Sequence, residues 1–171
     1  MTLRNSFIFD FTHQPEQPEE YDFHLGSDFF GGIENAEISG GDVALRLILQ
    51  PVSKNRLMLK WHYVGNVVVA CDRCLDPLTL EMKVDEALEV LIGTELDDEN
   101  DEVITLNAQD PVYDFTWIAY ELLALHLPIQ KMHDIEDCNP KMLKYLNGTV
   151  DDLPEEDPRW DELRQQLKRK K

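Results

Sequence analysis

Two cysteines separated by two residues form the segment best suited to chemistry. The motif Cys71-Asp-Arg-Cys74 follows a valine-rich run, so the sequence predicts that it lies in a turn between two strands. Two thiolates at this spacing can bind one tetrahedral metal ion from a single tight turn. The spacing also supports a redox pair, but such a pair usually begins a helix, and strand-like flanks disfavour it here. Two ordinary reduced thiols are the third alternative.

A second pair of candidate metal ligands lies further along the chain. The segment from His133 to Cys138 contains an imidazole and a thiol in a predicted loop after Pro128. Together the two pairs make a Cys3His donor set, which is typical of closed, structural zinc sites. The predicted site, with Zn²⁺ as its cofactor, consists of Cys71, Cys74, His133 and Cys138. Such a site would tie the helical half of the chain to the sheet. The sequence separation between Cys74 and Cys138 is longer than the ligand spacing of short zinc fingers. His126 is a possible substitute ligand.

The sequence lacks the patterns that are typical of common catalytic sites. It contains no glycine-rich phosphate loop, no HExxH helix and no nucleophile beside a base. The acidic residues near Cys138, namely Asp134, Glu136 and Asp137, therefore have no catalytic partner that the sequence identifies. We predict a protein that is not an enzyme and has no small-molecule substrate.

The charge of the chain is strongly negative and unevenly distributed. A net charge of -18 argues against simple phosphate binding, because an acidic surface repels a polyanion over a Debye length of about 8 Å. Six of the eight residues in Glu95–Glu102 are acidic, and five of the eight in Arg164–Lys171 are basic. These runs are either a solvated loop and a solubilising tail, or parts of an acidic body with a basic tip. Candidate nucleic-acid contacts at that tip are Arg164, Lys168, Arg169, Lys170 and Lys171.

The composition favours a protein of the cytoplasm. No apolar run approaches the roughly 20 residues of a membrane helix, and Met1–Asp10 lacks the apolar region of a secretory signal. Three cysteines cannot form a closed disulfide set, which favours reduced thiols. We expect no membrane partner.

Alternation of apolar and polar residues predicts an antiparallel meander in the N-terminal half. Asp42–Pro51 and Asn55–Val64 form a hairpin signature, with a turn at Pro51–Lys54. Asn66–Ala70 leads into the cysteine turn, and strand character resumes over Leu78–Ile92. Val103–Leu106 is a further candidate strand.

Helical patterns occupy the C-terminal half. They predict helices over Tyr113–Leu127, with Ile118, Leu122 and Leu125 on one face, over Asn139–Leu146, and over Asp157–Lys171. The predicted fold class is therefore α+β: an antiparallel β-meander in the N-terminal half with C-terminal helices packed on it. We predict a single domain over 1–171, in which 1–20 and 93–102 are loop or flexible and 157–171 is a C-terminal helix with a basic tail.

Four segments, in this order, resemble the YceD-like family. They are the turn Cys71-Asp-Arg-Cys74-Leu75, the helix Glu121–Pro128 that ends in Leu-Pro, the segment His133–Cys138, and the terminal Asp157-Pro-Arg-Trp160 with Leu163, Leu167 and Lys168. The resemblance implies a role in accumulation or processing of large-subunit ribosomal RNA, without known enzymatic activity. The partners we expect are a basic ribosomal protein or assembly factor, with weak contact to ribosomal RNA. The alternative function is a zinc- or thiol-dependent regulatory module built on the cysteine turn.

Overall fold

The computed structural model describes the backbone of residues 2–3 and the whole of residues 6–34, 36–93 and 103–146. Eight strands and three α-helices lie in these ranges, with a single turn of 3-10 helix at Ile135–Asp137. The strands are β1 (Thr2–Leu3), β2 (Ile8–Asp10), β3 (Glu19–Leu25), β4 (Ile38–Ser53), β5 (Arg56–Ala70), β6 (Pro77–Gly93), β7 (Val103–Asn107) and β8 (Val112–Asp114). The helices are α1 (Ser27–Gly31), α2 (Thr116–Ala124) and α3 (Pro140–Leu146).

The main sheet has six strands in the order β1-β3-β4-β5-β6-β7. The pairs β3–β4, β4–β5 and β5–β6 are antiparallel, which confirms the predicted meander and the α+β fold class. Both edges carry parallel pairs, β1 with β3 and β6 with β7, which the sequence did not predict. Strands β4, β5 and β6 are far longer than their neighbours, so they form the frame on which the other elements are arranged.

One face of the long strands is buried, and the period-2 pattern of the sequence is its cause. Successive side chains of a strand point to opposite faces, so alternate apolar residues collect on one side. The residues of this face on β4 and β5 are at most 2% exposed: Val43, Leu45, Leu47, Leu49, Leu57, Leu59, Trp61 and Tyr63. They form the centre of the hydrophobic core.

Strand β5 runs without a break through Gly65, where the sequence suggested two separate segments. Gly65 pairs with Val43 of β4 and has a φ of 158°. A Cβ atom at this position would lie 2.7 Å from the Cα of Val43 and would collide with the carbonyl oxygen of Asp42. Glycine therefore allows the two strands to approach closely and lets β5 continue to the cysteine turn.

The predicted helix Tyr113–Leu127 was too long at both ends. Tyr113 belongs to β8, which pairs with β2 in a separate two-stranded sheet. The helix begins at Thr116, whose backbone N–H donates to the Asp114 carboxylate at 2.9 Å. The predicted apolar face is rotated as well, since Leu125 is 73% exposed while Ala119 and Leu123 are fully buried.

Helix α2 and the β2–β8 sheet cover the buried face. The Tyr63 hydroxyl donates a hydrogen bond to the Ala119 carbonyl at 3.1 Å, joining β5 to α2. Phe115 lies at the centre of an aromatic group that also contains Phe9, Phe11, Trp61 and Tyr113. The predicted packing of C-terminal helices on the sheet is thus confirmed for α2.

Several predictions fall on the chain ends and on one loop. Within 1–20, expected as loop or flexible, the described part contains β1, β2 and the start of β3. Glu95–Glu102 and the helix predicted over Asp157–Lys171 lie outside the described residues. Among the described residues, none of the helices combines the length and apolar character that crossing a membrane requires.

Candidate metal centre

The two cysteines of the CxxC motif lie in a tight turn between β5 and β6. The Cys71 N–H donates to the Asp76 carbonyl at 2.9 Å, and the Leu75 N–H donates to the Cys71 carbonyl at 2.8 Å. Leu75 has a φ of 64°, a left-handed conformation that an L-residue adopts at a cost. This turn brings the two thiols side by side, as the sequence predicted.

The segment after α2 returns to this turn and is fixed to it by a reciprocal pair of hydrogen bonds. The Asp72 N–H donates to the Lys131 carbonyl at 2.7 Å, and the Lys131 N–H donates to the Asp72 carboxylate at 2.7 Å. The Lys131 ammonium also lies 2.8 Å from the Glu37 carboxylate. The two hydrogen bonds of the Lys131 main chain to Asp72 place His133 beside the cysteine turn.

Asn139 positions the third cysteine. Its side-chain oxygen accepts the Lys141 N–H at 3.1 Å and so caps α3, as its place before Pro140 predicted. Its side-chain nitrogen donates to the Asp76 carboxylate at 3.1 Å. The residue beside Cys138 is therefore bound both to α3 and to the cysteine turn.

The four residues predicted as metal ligands come together in one cluster, which we call the cysteine corner. Their ligand atoms all lie within 4.8 Å of one another, in Cys71, Cys74, His133 and Cys138. The three cysteines are free thiols and at most 2% exposed, while the histidine is half-buried. Leu78, Met142 and Leu143 pack around them.

The dimensions of the cysteine corner fit a tetrahedral zinc ion. Zn–S bonds of about 2.3 Å and Zn–N bonds of about 2.0–2.1 Å imply ligand atoms about 3.5–3.8 Å apart. The Cys74 Sγ already lies 3.5 Å from the His133 Nδ1. A shift of about 1 Å in the most distant ligand atoms would complete the tetrahedron. All four positions would be filled by protein, as in a structural site.

The imidazole is oriented so that one nitrogen faces the thiols. His133 Nε2 lies 3.1 Å from the Pro77 carbonyl, which can only accept a hydrogen bond. Nε2 therefore carries the proton, and Nδ1 faces Cys74 as an available ligand. A carbonyl that fixes the tautomer in this way is the usual outer partner of a metal-binding histidine.

Two of the thiols are acidified by their surroundings. Burial acts to raise the pKa of the Cys71 thiol, but hydrogen bonds to its sulfur lower that pKa to about 6. The backbone donors to this sulfur belong to Cys74, His133 and Arg73. For Cys74, a backbone N–H bond from Asn139 is the main cause of a lowered pKa. Both sulfurs are thus stabilised as thiolates, the form that binds metal.

The pKa values of Cys138 and His133 are raised instead. Burial raises the pKa of the Cys138 thiol. Hydrogen bonding to the Cys74 side chain is the main cause of a raised pKa at His133. Metal binding would require Cys138 as a thiolate and a neutral imidazole, so it would be favoured at higher pH.

Sequence reasoning named the four candidate ligands that come together but missed the residues that position them. His126, the substitute ligand, lies outside the cluster: its Nε2 is 3.1 Å from the Glu86 carboxylate. The sequence contains no pattern that predicts the pairing of Asp72 with Lys131, because it depends on how the segment after α2 folds back onto the cysteine turn. The candidate RNA contacts, Arg164 and Lys168–Lys171, lie outside the described residues.

The fold and the cysteine corner define an α+β protein with a candidate structural metal centre. A family described as "Large ribosomal RNA subunit accumulation protein YceD" has a sequence model that matches residues 59–168. The match covers more than half of the chain and includes all four residues of the cysteine corner, so the chain belongs to the YceD family. The family's description implies a role in accumulation of large-subunit ribosomal RNA. No curated protein and no solved structure matches the chain.

Proposed function

We propose that the chain is a non-catalytic accessory protein of the cytoplasm that supports accumulation or processing of large-subunit ribosomal RNA through protein–protein contacts. The observation that carries this proposal is the match to the YceD family over residues 59–168. Its direct partner is a basic ribosomal protein or assembly factor. The chain acts as one domain over 1–171.

The charge of the chain supports a protein partner over an RNA partner. With 34 acidic and 16 basic residues, its field attracts basic proteins and repels the phosphate backbone. Ribosomal proteins bind RNA through basic surfaces, so an acidic protein can hold such a surface before RNA does. Contact between this chain and ribosomal RNA is then weak and confined to the basic residues of Arg164–Lys171.

The second part of the proposal is a structural zinc centre at the cysteine corner. Its support is the convergence of four ligand atoms within 4.8 Å, two acidified thiols and an imidazole with the correct tautomer. The metal would join the segment that carries His133 and Cys138 to the turn between β5 and β6. Such a site stabilises a surface and takes no part in chemistry, because it leaves no open coordination position.

A thiol-dependent regulatory module is the second candidate function. The observation in its favour is that three free thiols are buried together in one corner. An oxidant such as hydrogen peroxide could take two electrons from two of them and leave a disulfide. Partner binding that is lost on oxidation and recovered with a reductant would favour this candidate.

Capture of partners from lysate tests the main proposal. The tagged full-length chain should retain ribosomal proteins or large-subunit assembly factors after nuclease treatment, because the contact is between proteins. A matched control, the same chain with all six acidic residues of Glu95–Glu102 changed to their amides, measures how far this charge contributes. Recovery of ribosomal components that disappears with nuclease would contradict the proposal.

Metal analysis tests the zinc centre. Purified protein should contain close to one zinc per chain, and His133→Gln should lower that content strongly. His126→Gln is the matched control, because His126 lies beside Glu86 and outside the cluster. A zinc-free protein, or equal loss in the two variants, would contradict a centre at the cysteine corner.

Truncation tests the basic tail. Deleting Arg164–Lys171 should lower RNA association and spare most of the affinity for the protein partner. With five basic residues in this segment, the slope of log K against log salt for single strands should not exceed about -3 to -4. Tight, salt-insensitive RNA binding by the truncated protein would contradict an acidic body that avoids RNA.

A further inference from the structure

Arg73 lies between the two cysteines of the turn, but its side chain reaches the opposite segment. Its Nη1 is 3.7 Å from the Cys138 Sγ and 3.5 Å from the His133 carbonyl oxygen. Its Nη2 is 3.5 Å from the Met132 Sδ. One guanidinium therefore contacts Met132, His133 and Cys138, in the segment that supplies two of the four candidate ligands.

The hydrogen bonds at the three sulfurs are not equivalent. Backbone N–H groups donate to Cys71 and Cys74, because the turn and the end of the returning segment direct their amides at these atoms. At Cys138, a charged side chain is the donor: the Arg73 Nη1 lies 3.7 Å from the sulfur. The guanidinium therefore supplies a charged hydrogen bond to the sulfur of Cys138.

The charge of an occupied centre also calls for a cation. Three thiolates, a neutral imidazole and one Zn²⁺ carry a net charge of -1. The three cysteines are at most 2% exposed, and a buried charge without a partner is strongly unfavourable. Lys131 is nearby, but its ammonium is engaged by the carboxylates of Glu37 and Asp72.

We propose that Arg73 is a positioning residue of the zinc centre, which balances the charge of the cluster and holds the Cys138 thiolate in place. This inference rests on the zinc centre proposed above. A planar guanidinium suits the role, because it can direct N–H groups at a sulfur, a carbonyl and a thioether at once, which an ammonium cannot. Arg73 thus links the turn to the returning segment through the metal ligands themselves.

Zinc affinity of single variants tests the role of Arg73. Zinc-loaded, full-length protein is titrated with a chromogenic chelator of known affinity. Arg73→Gln should bind zinc about 10-fold or more weakly, as expected when an outer partner of a metal ligand is lost. Arg73→Lys should bind zinc about 3-fold more weakly than the wild type, between the wild type and Arg73→Gln. Lysine keeps the positive charge but lacks the planar, multiple N–H donors of the guanidinium. Lys131→Gln, which removes a nearby cation that does not touch a sulfur, should change affinity by less than about 2-fold.

Cobalt substitution separates positioning from general destabilisation. If Arg73→Gln releases Cys138, the thiolate-to-cobalt absorption should fall by about one third, because one of three sulfurs leaves the metal. Lys131→Gln should leave that absorption unchanged. A variant that is only less stable would lose all of its cobalt spectrum in proportion to its unfolded fraction.

The outcomes distinguish this inference from the proposal beneath it. Wild-type protein that binds no zinc would reject the zinc centre and the role of Arg73 together. Wild-type and Arg73→Gln proteins that bind zinc with equal affinity would reject Arg73 alone. If Arg73→Gln fails to fold, Arg73→Lys is the test. Zinc affinity of Arg73→Lys equal to that of the wild type would reject the proposed positioning of Cys138 by the guanidinium.

Discussion

The molecule joins its helical part to its sheet in two regions that work differently. Under the sheet, α2 belongs to the same apolar core as Trp61 and Tyr63, and the Tyr63 hydroxyl adds one hydrogen bond to the helix. At the cysteine corner, the returning segment meets the sheet through four polar ligand atoms and a few hydrogen bonds. The first region derives its stability from buried area, so a substitution there should cost stability according to the cavity it leaves. The second depends on particular atoms, so single substitutions should abolish its order without unfolding the sheet.

The largest expected effect is in the apolar region. Trp61 is fully buried, and its ring stacks on Tyr63 and contacts Phe115. Trp61→Ala should lower the free energy of unfolding by about 3–5 kcal/mol, measured by urea denaturation, because it leaves a large cavity. Zinc content of the folded fraction should stay unchanged.

Trp61→Phe is the control for that prediction. The indole N–H is buried and has no hydrogen-bond partner among the described residues, so replacing it loses no hydrogen bond. The loss of stability should be clearly smaller than with alanine. A Trp61→Ala protein that loses zinc in proportion to its stability would break the comparison, because it would make the two regions one cooperative unit.

A medium effect is expected where β4 and β5 approach each other. Gly65→Ala would put a Cβ 2.7 Å from the Cα of Val43, and backbone atoms cannot yield as a flexible side chain does. We expect a loss of about 2–3 kcal/mol in the free energy of unfolding. Gly40→Ala, in β4, is the matched control, since a Cβ there meets nothing within 4 Å. Equal stability of the two variants would show that the strands separate more easily than this close approach implies.

The smallest expected change in stability is at Leu75, in the cysteine turn. Leu75 has a φ of 64° and is 68% exposed, so its side chain contributes little burial while its backbone is strained. Leu75→Gly should raise the free energy of unfolding by up to about 1 kcal/mol, seen as a slightly higher thermal midpoint. Zinc content should stay unchanged. A clear loss of stability would mean that the Leu75 side chain makes a packing contribution that its exposure does not suggest.

The sheet was predictable from the sequence because period-2 alternation acts locally. Val43 to Leu49 and Leu57 to Tyr63 show it directly, and their burial follows from strand geometry alone. The four candidate ligands of the cysteine corner were predictable from residue type. The start of α2 was not, because the pairing of Tyr113 with Phe9 is a contact between distant segments that overrides a local helical pattern.

The residues around the ligands were beyond sequence reasoning for a similar reason. Arg73 is adjacent to the ligands in sequence, yet its role depends on a segment about 60 residues away. The same holds for Asp72 with Lys131 and for Asp76 with Asn139. These pairs exist only once the loop has returned to the turn, and no spacing rule encodes that path.

Hydrogen exchange with and without a zinc chelator tests the central claim most directly. If a metal ion ties the returning segment to the sheet, its removal should speed amide exchange in 71–76 and 131–143, while β4 and β5 keep their protection, because regions of a protein can open independently of its core. Unchanged exchange in both regions after zinc removal, or acceleration throughout the sheet, would contradict a structural metal centre that stabilises this corner alone.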